Sequence, residues 1–295
     1  MESLSYLEDH IKWFHCIDFS EFTRTYDELY SDYEDLQNRI EFSLLINPQD
    51  KFDLRFGLFK LHNIKKIRSF LKESDYDISN LNETLNFAEK IAPEMALGFD
   101  YNDRISRLKI YLLRLPDNLE FNAEPIKHIN DFLKINRIKK IQMVEEELKN
   151  SYLLGVDFYK TNHRNVKIYS REKDVDFFRT KKYLEDSGIN SRYFEYFLQL
   201  SSDEILKDTT ISKKYSKEGF EGLSIFFEVA NYSNQNIEKM IEKSIPNRFR
   251  NFKEITNLLE FNAPIKYSHI GLTFSEKGKN ESLCIYYSPV FEVKK

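Results

Sequence analysis

Glycine is scarce in this chain: there are 8, where an average usage of ~7% would give about 20. No G-x-G-x-x-G and no G-x-x-x-x-G-K-[ST] occurs, so the glycine-built nucleotide cradles are excluded. The two cysteines, Cys16 and Cys284, make no disulfide framework, and a reducing, cytoplasmic setting is the expectation. There is no C-x-x-C and no H-E-x-x-H, and the six histidines are scattered, which argues against a zinc site. No adjacent pair of aspartates exists, so a D-D-x-x-D metal–diphosphate site is missing. No apolar run approaches the ~18 residues of a membrane span, and the N-terminus MESLSYLEDH is not a signal sequence. Charge of one sign is lacking too. Lys+Arg is 44 against Asp+Glu 48, a net −4 with no like-charged run, which argues against nucleic-acid binding through phosphate neutralisation.

What is present in excess is aromatic: 18 Tyr and 25 Phe against 1 Trp. Apolar residues make up 41% of the 295, enough for a folded core. Internal similarity is the most informative feature. Three segments are alike: GFDYNDRISRLKIYLLR (98–114), GVDFYKTNHRNVKIYSR (155–171) and GLTFSEKGKNESLCIYYS (271–288). Each has a Gly in an apolar alternating stretch, then a polar turn, then a second alternating stretch containing an -IY- pair. That is the pattern of a β-hairpin. Two weaker copies lie at 40–60, about NPQDK, and at 209–230, about SKEG. Between hairpins the apolar spacing becomes three to four, predicting helices over 64–74, 81–92, 124–150, 176–188, 236–245 and 252–261, with two more before residue 40. No linker rich in Pro, Gly or Ser divides the chain, so a single domain over 1–295 is expected.

Side chains on a strand alternate between faces. One face of the five second strands carries Leu54/Phe56, Leu108/Ile110, Val166/Ile168, Leu223/Ile225 and Leu283/Ile285, and needs a cover that the helices supply. The other carries Arg55, Lys109/Tyr111, Lys167/Tyr169, Ser224/Phe226 and Cys284/Tyr286. On the first strands Glu41/Ser43, Gly98/Asp100 and His269/Thr273 share this second face. About ten antiparallel strands, apolar outward under helices and polar and aromatic inward, predict an α+β closed barrel with a wet chamber. In such a barrel Arg55, Lys109 and Lys167 converge and call for an anion, because unpaired buried charge is costly. Diphosphate is a suitable guest. Tyr111, Tyr169, Phe226 and Tyr286, two residues further along, make an aromatic belt able to stabilise a cation. An anion site beside such a belt fits a reaction that forms a carbocation next to a departing diphosphate, away from water.

The strands GFDY…LKIYLL and VDFY…HRNVKIY resemble those of the ABBA-fold aromatic prenyltransferases, in particular the indole (dimethylallyltryptophan-synthase-like) branch and the shorter cyanobactin peptide prenyltransferases. The resemblance covers residues 38–288. It implies five helix–strand–strand–helix units forming a barrel, and transfer of a dimethylallyl or geranyl group from its diphosphate to an electron-rich aromatic acceptor, free or within a peptide. It implies that Arg55, Lys109 and Lys167 bind the diphosphate and that Tyr111, Tyr169 and Tyr286 shield the allylic cation, with Phe226 completing the belt. The strand IEFS resembles the family strand whose glutamate binds the acceptor or takes its proton, which makes Glu41 the candidate catalytic residue. Some positions depart from the pattern. Asn165 stands where the indole branch often has a further Arg, Ser224 and Phe226 replace a more polar pair, and Ser282 replaces a Lys of some small-phenol enzymes. Arg55 takes the place of their Mg²⁺-linked Asp, so magnesium, if it arrives with the diphosphate, is not expected to be fixed by a protein carboxylate there.

Other residues have plainer readings. Cys284 is a small inward filler, His163 and His269 are turn and lining residues, and the basic stretch 134–140 is a solvated face. Lys213, Lys214 and Tyr215 are further candidates for phosphate contact. Three other readings stay open beside the leading one: an enzyme specific for macrocyclic peptides, a non-catalytic barrel that carries an isoprenoid ligand, and a purely structural interaction protein, which would have no central cavity.

Overall fold

The computed structural model describes residues 19–30, 40–46, 52–61, 63–73, 78–91, 94–102, 104–113, 124–139, 141, 143, 148, 150–159, 164–173, 177–186, 208–237, 265–275 and 282–290. The turn expected at 47–51, His163, and the helices expected over 238–245 and 252–261 lie outside them. In chain order the described elements are α1 (Phe19–Tyr30), β1 (Ile40–Ile46), β2 (Phe52–Leu61), α2 (Ile64–Lys72), α3 (Ile78–Ile91), β3 (Glu94–Asn102), β4 (Arg104–Leu113), α4 (Glu124–Ile135), β5 (Ser151–Tyr159), β6 (Arg164–Lys173), α5 (Phe177–Asp186), β7 (Asp208–Ser216), β8 (Gly219–Glu228), β9 (Ile265–Ser275) and β10 (Ser282–Pro289).

The ten strands form one closed antiparallel barrel in which each strand pairs with its sequence neighbours and β1 closes the ring against β10. All five expected hairpins are present. Their registers put the apolar set on one face throughout: Phe42 opposite Phe56, Phe56 opposite Phe99, Phe99 opposite Leu108, and Leu108 opposite Phe158. The outward row continues through Val166, Leu223, Phe274 and Leu283, each at most 1% exposed. A one-residue slip would reverse every one of these side chains, so burial of this face specifies the register.

The outer face is covered by helices. Asn63 caps α2, its side chain accepting the Lys66 N–H at 3.1 Å, which satisfies one of the unpaired donors of the first turn. Ile67, Phe70 and Leu71 of α2 are buried, and the Phe70 ring meets that of Phe99 edge-on at 6.1 Å. Phe99 in turn stacks on Phe56 at 4.9 Å. Phe87 of α3 packs on Phe132 of α4 at 5.7 Å. Arg68 of α2 donates to Asn82 and Asn86 and pairs with Glu89, fastening α2 to α3.

One helix is shorter than its period predicts. The apolar spacing ran over 124–150, but α4 ends at Ile135. The Ile138 N–H reaches back to the Leu133 carbonyl (2.9 Å), the Arg137 N–H reaches the Lys134 carbonyl (3.0 Å), and Arg137 has φ 60°. This is a Schellman end with Arg137 in the left-handed position that usually holds glycine. Asn136 Nδ2 also bonds the Phe132 carbonyl at 2.9 Å. The β7–β8 turn is the reverse case. It takes two residues, Lys217 and Glu218, and the glycine after them, Gly219, has φ 125°, where other residues are strained.

Replacing exposed Arg137 by glycine relieves the left-handed strain at the end of α4. Arg137→Gly is therefore expected to stabilise the fold by about 0.5–1 kcal/mol, net of the added flexibility of the unfolded chain. Urea denaturation of the two proteins measures it, and a loss of stability would contradict this account of the helix end.

Candidate active site inside the barrel

The inner face brings the candidate cations together, and it does so through two carboxylates. Asp100 of β3 lies between Arg55 of β2 and Arg107 of β4 in the register, and Asp157 of β5 lies between Lys109 of β4 and Asn165 of β6. Asp100 Oδ1 is 3.2 Å from Arg55 Nε and 2.5 Å from Lys109 Nζ. Its other oxygen accepts from Arg107 Nε at 2.6 Å and from Arg107 Nη2. Asp157 Oδ2 is 2.9 Å from Lys167 Nζ and accepts from Arg107 Nη1 at 3.2 Å. Arg107 Nη1 also donates to the Tyr159 hydroxyl at 2.9 Å. Arg55, Lys109 and Lys167 thus belong to one cluster, as the alternation predicts.

The expectation that three unpaired cations wait for a ligand needs correction. Much of the compensating charge is the protein's own, from Asp100 and Asp157, and a fourth cation, Arg107, shares it. Four cations meet two carboxylates, an excess of two positive charges when all are ionised. Electrostatics accounts for the titration behaviour. Burial alone would raise the Asp100 carboxyl, but Arg55, Lys109 and Arg107 hold it far below the ordinary carboxylate range. Lys167, Arg107 and Lys109 do the same for Asp157 against its burial. Burial and the neighbouring Arg55, Arg107 and Lys167 push Lys109 well below an ordinary lysine, with Asp100 opposing. Burial likewise lowers Lys167, with Asp157 opposing. Arg55, Arg107 and Lys167 keep 13%, 15% and 16% of their side-chain surface accessible, so the interior is not packed solid here.

The expected belt is continuous. Tyr111 meets Tyr169 edge-on at 6.1 Å, Tyr169 stacks with Phe226 at 6.3 Å, and Phe226 meets Tyr286 edge-on at 5.6 Å. His269 extends it, 6.2 Å from Tyr286. Burial lowers the His269 imidazole to about 4, so it is neutral near pH 7. Burial first, with nearby anionic partners, raises the phenols of Tyr111, Tyr169 and Tyr286, which stay protonated. Cys284 is buried in contact with the belt, 3.7 Å from Thr273 Oγ1, as its filler reading expects.

The glycine of the repeated hairpins acquires a purpose here. A Cβ at Gly98 would lie 3.2 Å from the Tyr111 ring, and one at Gly155 would lie 3.1 Å from the same ring. A Cβ at Gly271 would overlap the Phe226 ring, directly across the β8–β9 ladder. The glycines are seats for the rings. The repeat displayed them, but their purpose shows only once the ring positions are known.

Glu41 lies on the inner face of β1, opposite Gly57. Ser268 Oγ donates to its Oε1 at 2.5 Å. Ser268 sits at the β9 irregularity between Tyr267 and His269, where the extra residue turns its side chain toward β1. Burial raises the Glu41 carboxyl from 4.5 to about 7, with the Ser268 hydrogen bond opposing. Of the further candidates, Lys213 and Tyr215 fall on the outward parity with Ile168 and Val166. Lys214 is inward, opposite Lys167, and pairs with Glu221 at 3.0 Å. Among the described residues no group of three or more His, Cys, Asp or Glu could hold a metal ion. Asp100 and Asp157 are each bound by two or more cationic side chains, a setting unsuited to a resident divalent cation. No described helix is long and apolar enough to cross a membrane.

No protein-family model matches the sequence, and no curated protein matches it. Solved structures do match. The chain is similar to PriB, solved in a binary complex with product diphosphate, with TM-score 0.73 and 12% identity over 99% of this chain and 98% of that one. It is similar to 5-dimethylallyl tryptophan synthase from Streptomyces coelicolor, solved with DMASPP and Trp, with TM-score 0.67 and 12% identity over 94% and 93% of the two chains. NotF, solved with brevianamide F and DMSPP, matches with TM-score 0.58 and 15% identity over 86% and 81%. The chain therefore has the barrel fold of the aromatic prenyltransferases.

The seat argument gives a measurable outcome. Gly271→Ala is expected to cost about 1–3 kcal/mol through overpacking against Phe226. Gly271→Ala combined with Phe226→Leu should lose less than the sum of the two single changes. Thermal unfolding of the four proteins reads this; strict additivity would show that the ring does not rest on the glycine.

Proposed function

We propose that the protein is an aromatic prenyltransferase that moves a dimethylallyl or geranyl group from its diphosphate to an electron-rich aromatic ring, an indole or a phenol, free or within a peptide. The observation that carries the reading is the adjacency of two features on one inner wall. Arg55, Lys109 and Lys167 gather at shared carboxylates, and Tyr111, Tyr169, Phe226 and Tyr286 run beside them as an unbroken ring series. The similar PriB was solved with product diphosphate, and the tryptophan synthase with DMASPP and Trp, which agrees in kind with an anion site beside an aromatic pocket.

In this reading the cations hold the diphosphate and stabilise the negative charge that grows on it as the allylic C–O bond ionises. The belt faces the resulting cation and lowers its energy by about 0.5–2 kcal/mol per well-placed ring. The rings also exclude water, which would otherwise capture the cation as an alcohol. The acceptor ring attacks the allylic carbon and a C–C bond forms. The proton displaced from the acceptor passes to the Glu41 carboxylate. Ser268 orients that carboxylate, and its raised affinity for a proton suits it to the transfer near pH 7. Magnesium enters, if at all, with the diphosphate.

Incubation with labelled dimethylallyl diphosphate and a panel of tryptophan, tyrosine and macrocyclic peptides tests the reaction. Labelled adduct and released pyrophosphate are the expected products. Bound diphosphate with no pyrophosphate release would leave a carrier, and no binding at all would end the reading. Within the active protein, Lys109→Met and Lys167→Met should each lower kcat/KM at least tenfold.

Glu41 gives a pH signature. As a base it works deprotonated, so the rate should fall as pH drops through about 7, and Glu41→Gln should remove that limb with a loss of ~10²-fold. The same carboxyl holds its proton more tightly folded than unfolded. The stability this adds is full below 4.5 and is lost as pH rises through about 7. Glu41→Gln should therefore unfold at a higher temperature than the parent protein at pH 8, while turning over more slowly. A rate and Tm both unchanged at pH 8 would remove Glu41 from the site.

A further inference from the structure

Arg107 was not among the residues expected to matter, and it sits at the centre of the charged cluster. Each nitrogen of its guanidinium is engaged by the protein. Nε and Nη2 bind Asp100, and Nη1 binds Asp157 and the Tyr159 hydroxyl. The carbon between them also lies 5.5 Å from the Tyr159 ring centre. With these donors committed, Arg107 is poorly placed to be a ligand for an incoming anion. Its partners are not committed in the same way. Asp100 turns its other oxygen to Arg55 and Lys109, and Asp157 shares its bound oxygen with Lys167. The connectivity is a chain: Arg55 and Lys109 on Asp100, Asp100 on Arg107, Arg107 on Asp157, and Asp157 on Lys167.

We propose that Arg107 is a positioning residue for diphosphate: by forking between Asp100 and Asp157 it holds both carboxylates at the floor of the site, so that Arg55, Lys109 and Lys167 present their remaining hydrogen-bond capacity to one anion. The inference rests on the diphosphate reading given above and adds to it a residue that touches no substrate. The physical basis is the geometry of the guanidinium. Its planar fork binds two carboxylates at once, which a lysine ammonium cannot reproduce in a fixed plane. Without it, two buried carboxylates stand near each other with three cations between them, and each carboxylate competes with the diphosphate for those cations. The excess positive charge that attracts the anion also falls from two to one.

The test uses inorganic pyrophosphate as the probe and the full chain as the protein, with affinity measured by calorimetry at pH 8. Arg107→Gln is expected to weaken pyrophosphate at least tenfold at pH 8. Adding Asp157→Asn to Arg107→Gln should restore affinity to within about threefold of Asp157→Asn alone. Arg107→Lys, which keeps the charge, should fold with a Tm near the parent's and recover only part of the affinity.

Unchanged affinity in Arg107→Gln would overturn the proposal. So would a loss that persists undiminished in the double variant, because Arg107 would then be touching the anion itself. If Arg107→Gln does not fold, Arg107→Lys decides: parent-like affinity overturns the fork, and a loss at equal charge upholds it. Absence of pyrophosphate binding by the parent protein is a separate result; it removes the diphosphate reading itself, and this one with it.

Discussion

Two buried carboxylates organise the interior of this barrel. An isolated Arg55, Lys109 or Lys167 on an inward strand face would be too costly to keep ionised away from water. Asp100 and Asp157 make the arrangement tenable by giving each of them a partner within 3.2 Å. The same carboxylates set the limit of the compensation. Two negative charges cannot neutralise four positive ones, and the remainder is the electrostatic demand that a diphosphate could meet. A buried charged network of this kind contributes little to stability. Its value lies in holding positive charge in a defined place, while stability comes from the apolar outer face, where the strands meet α2, α3 and α4.

The belt and the cluster are coupled by strand geometry. Lys109 and Tyr111, and likewise Lys167 and Tyr169, are two residues apart on one face, which separates their attachment points by ~7 Å along the strand. In the proposed reaction, an anion held at the lysines would have its organic substituent level with the rings. Strand pairing then spreads the rings around the wall, and glycine on the neighbouring strand makes room for Tyr111, Tyr169 and Phe226. Tyr111 rests beside Gly98 and Gly155, and Phe226 rests on Gly271. A chain poor in glycine spends three of its eight on these seats.

Much of this was legible before any coordinates, because a period of two leaves a simple trace. Once hairpins were recognised at 98–114, 155–171 and 271–288, the parity of every inward residue followed, and the registers agree. What stayed illegible was pairing between residues of like parity. Asp100 was visible on the inner face, but nothing in a strand pattern says which cation a carboxylate will meet. Arg107 lies two residues before the -K-I-Y- motif that marks the candidate cations, so the motif does not reach it. The end of α4 was missed for a local reason: Asn136–Arg137 carries no glycine, and the apolar spacing continues past a turn that only backbone dihedrals reveal. Among the candidates in the fourth unit, parity separates Lys214 from Lys213 and Tyr215, and it could have done so from the sequence alone.

Closure of the ring is what completes the proposed site. Glu41 lies on the first strand and Ser268 on the ninth, 227 positions apart in sequence, and they meet because β1 pairs with β10. The same pairing sets Ser43 opposite Tyr286, which brings the end of the aromatic belt to the strand that carries the carboxylate. The cluster at Asp100 and Asp157 needs only β2 to β6, a stretch of local hairpins. A barrel open between β1 and β10 would still gather the cations but would leave Glu41 and the last ring without their neighbours. It would also admit water, which under the proposed reaction would capture the allylic cation. The charged cluster is thus a property of neighbouring hairpins. In the proposed reaction the transfer site is a property of the closed barrel, and the longest-range pairing in the chain is the one that would separate binding a diphosphate from using it.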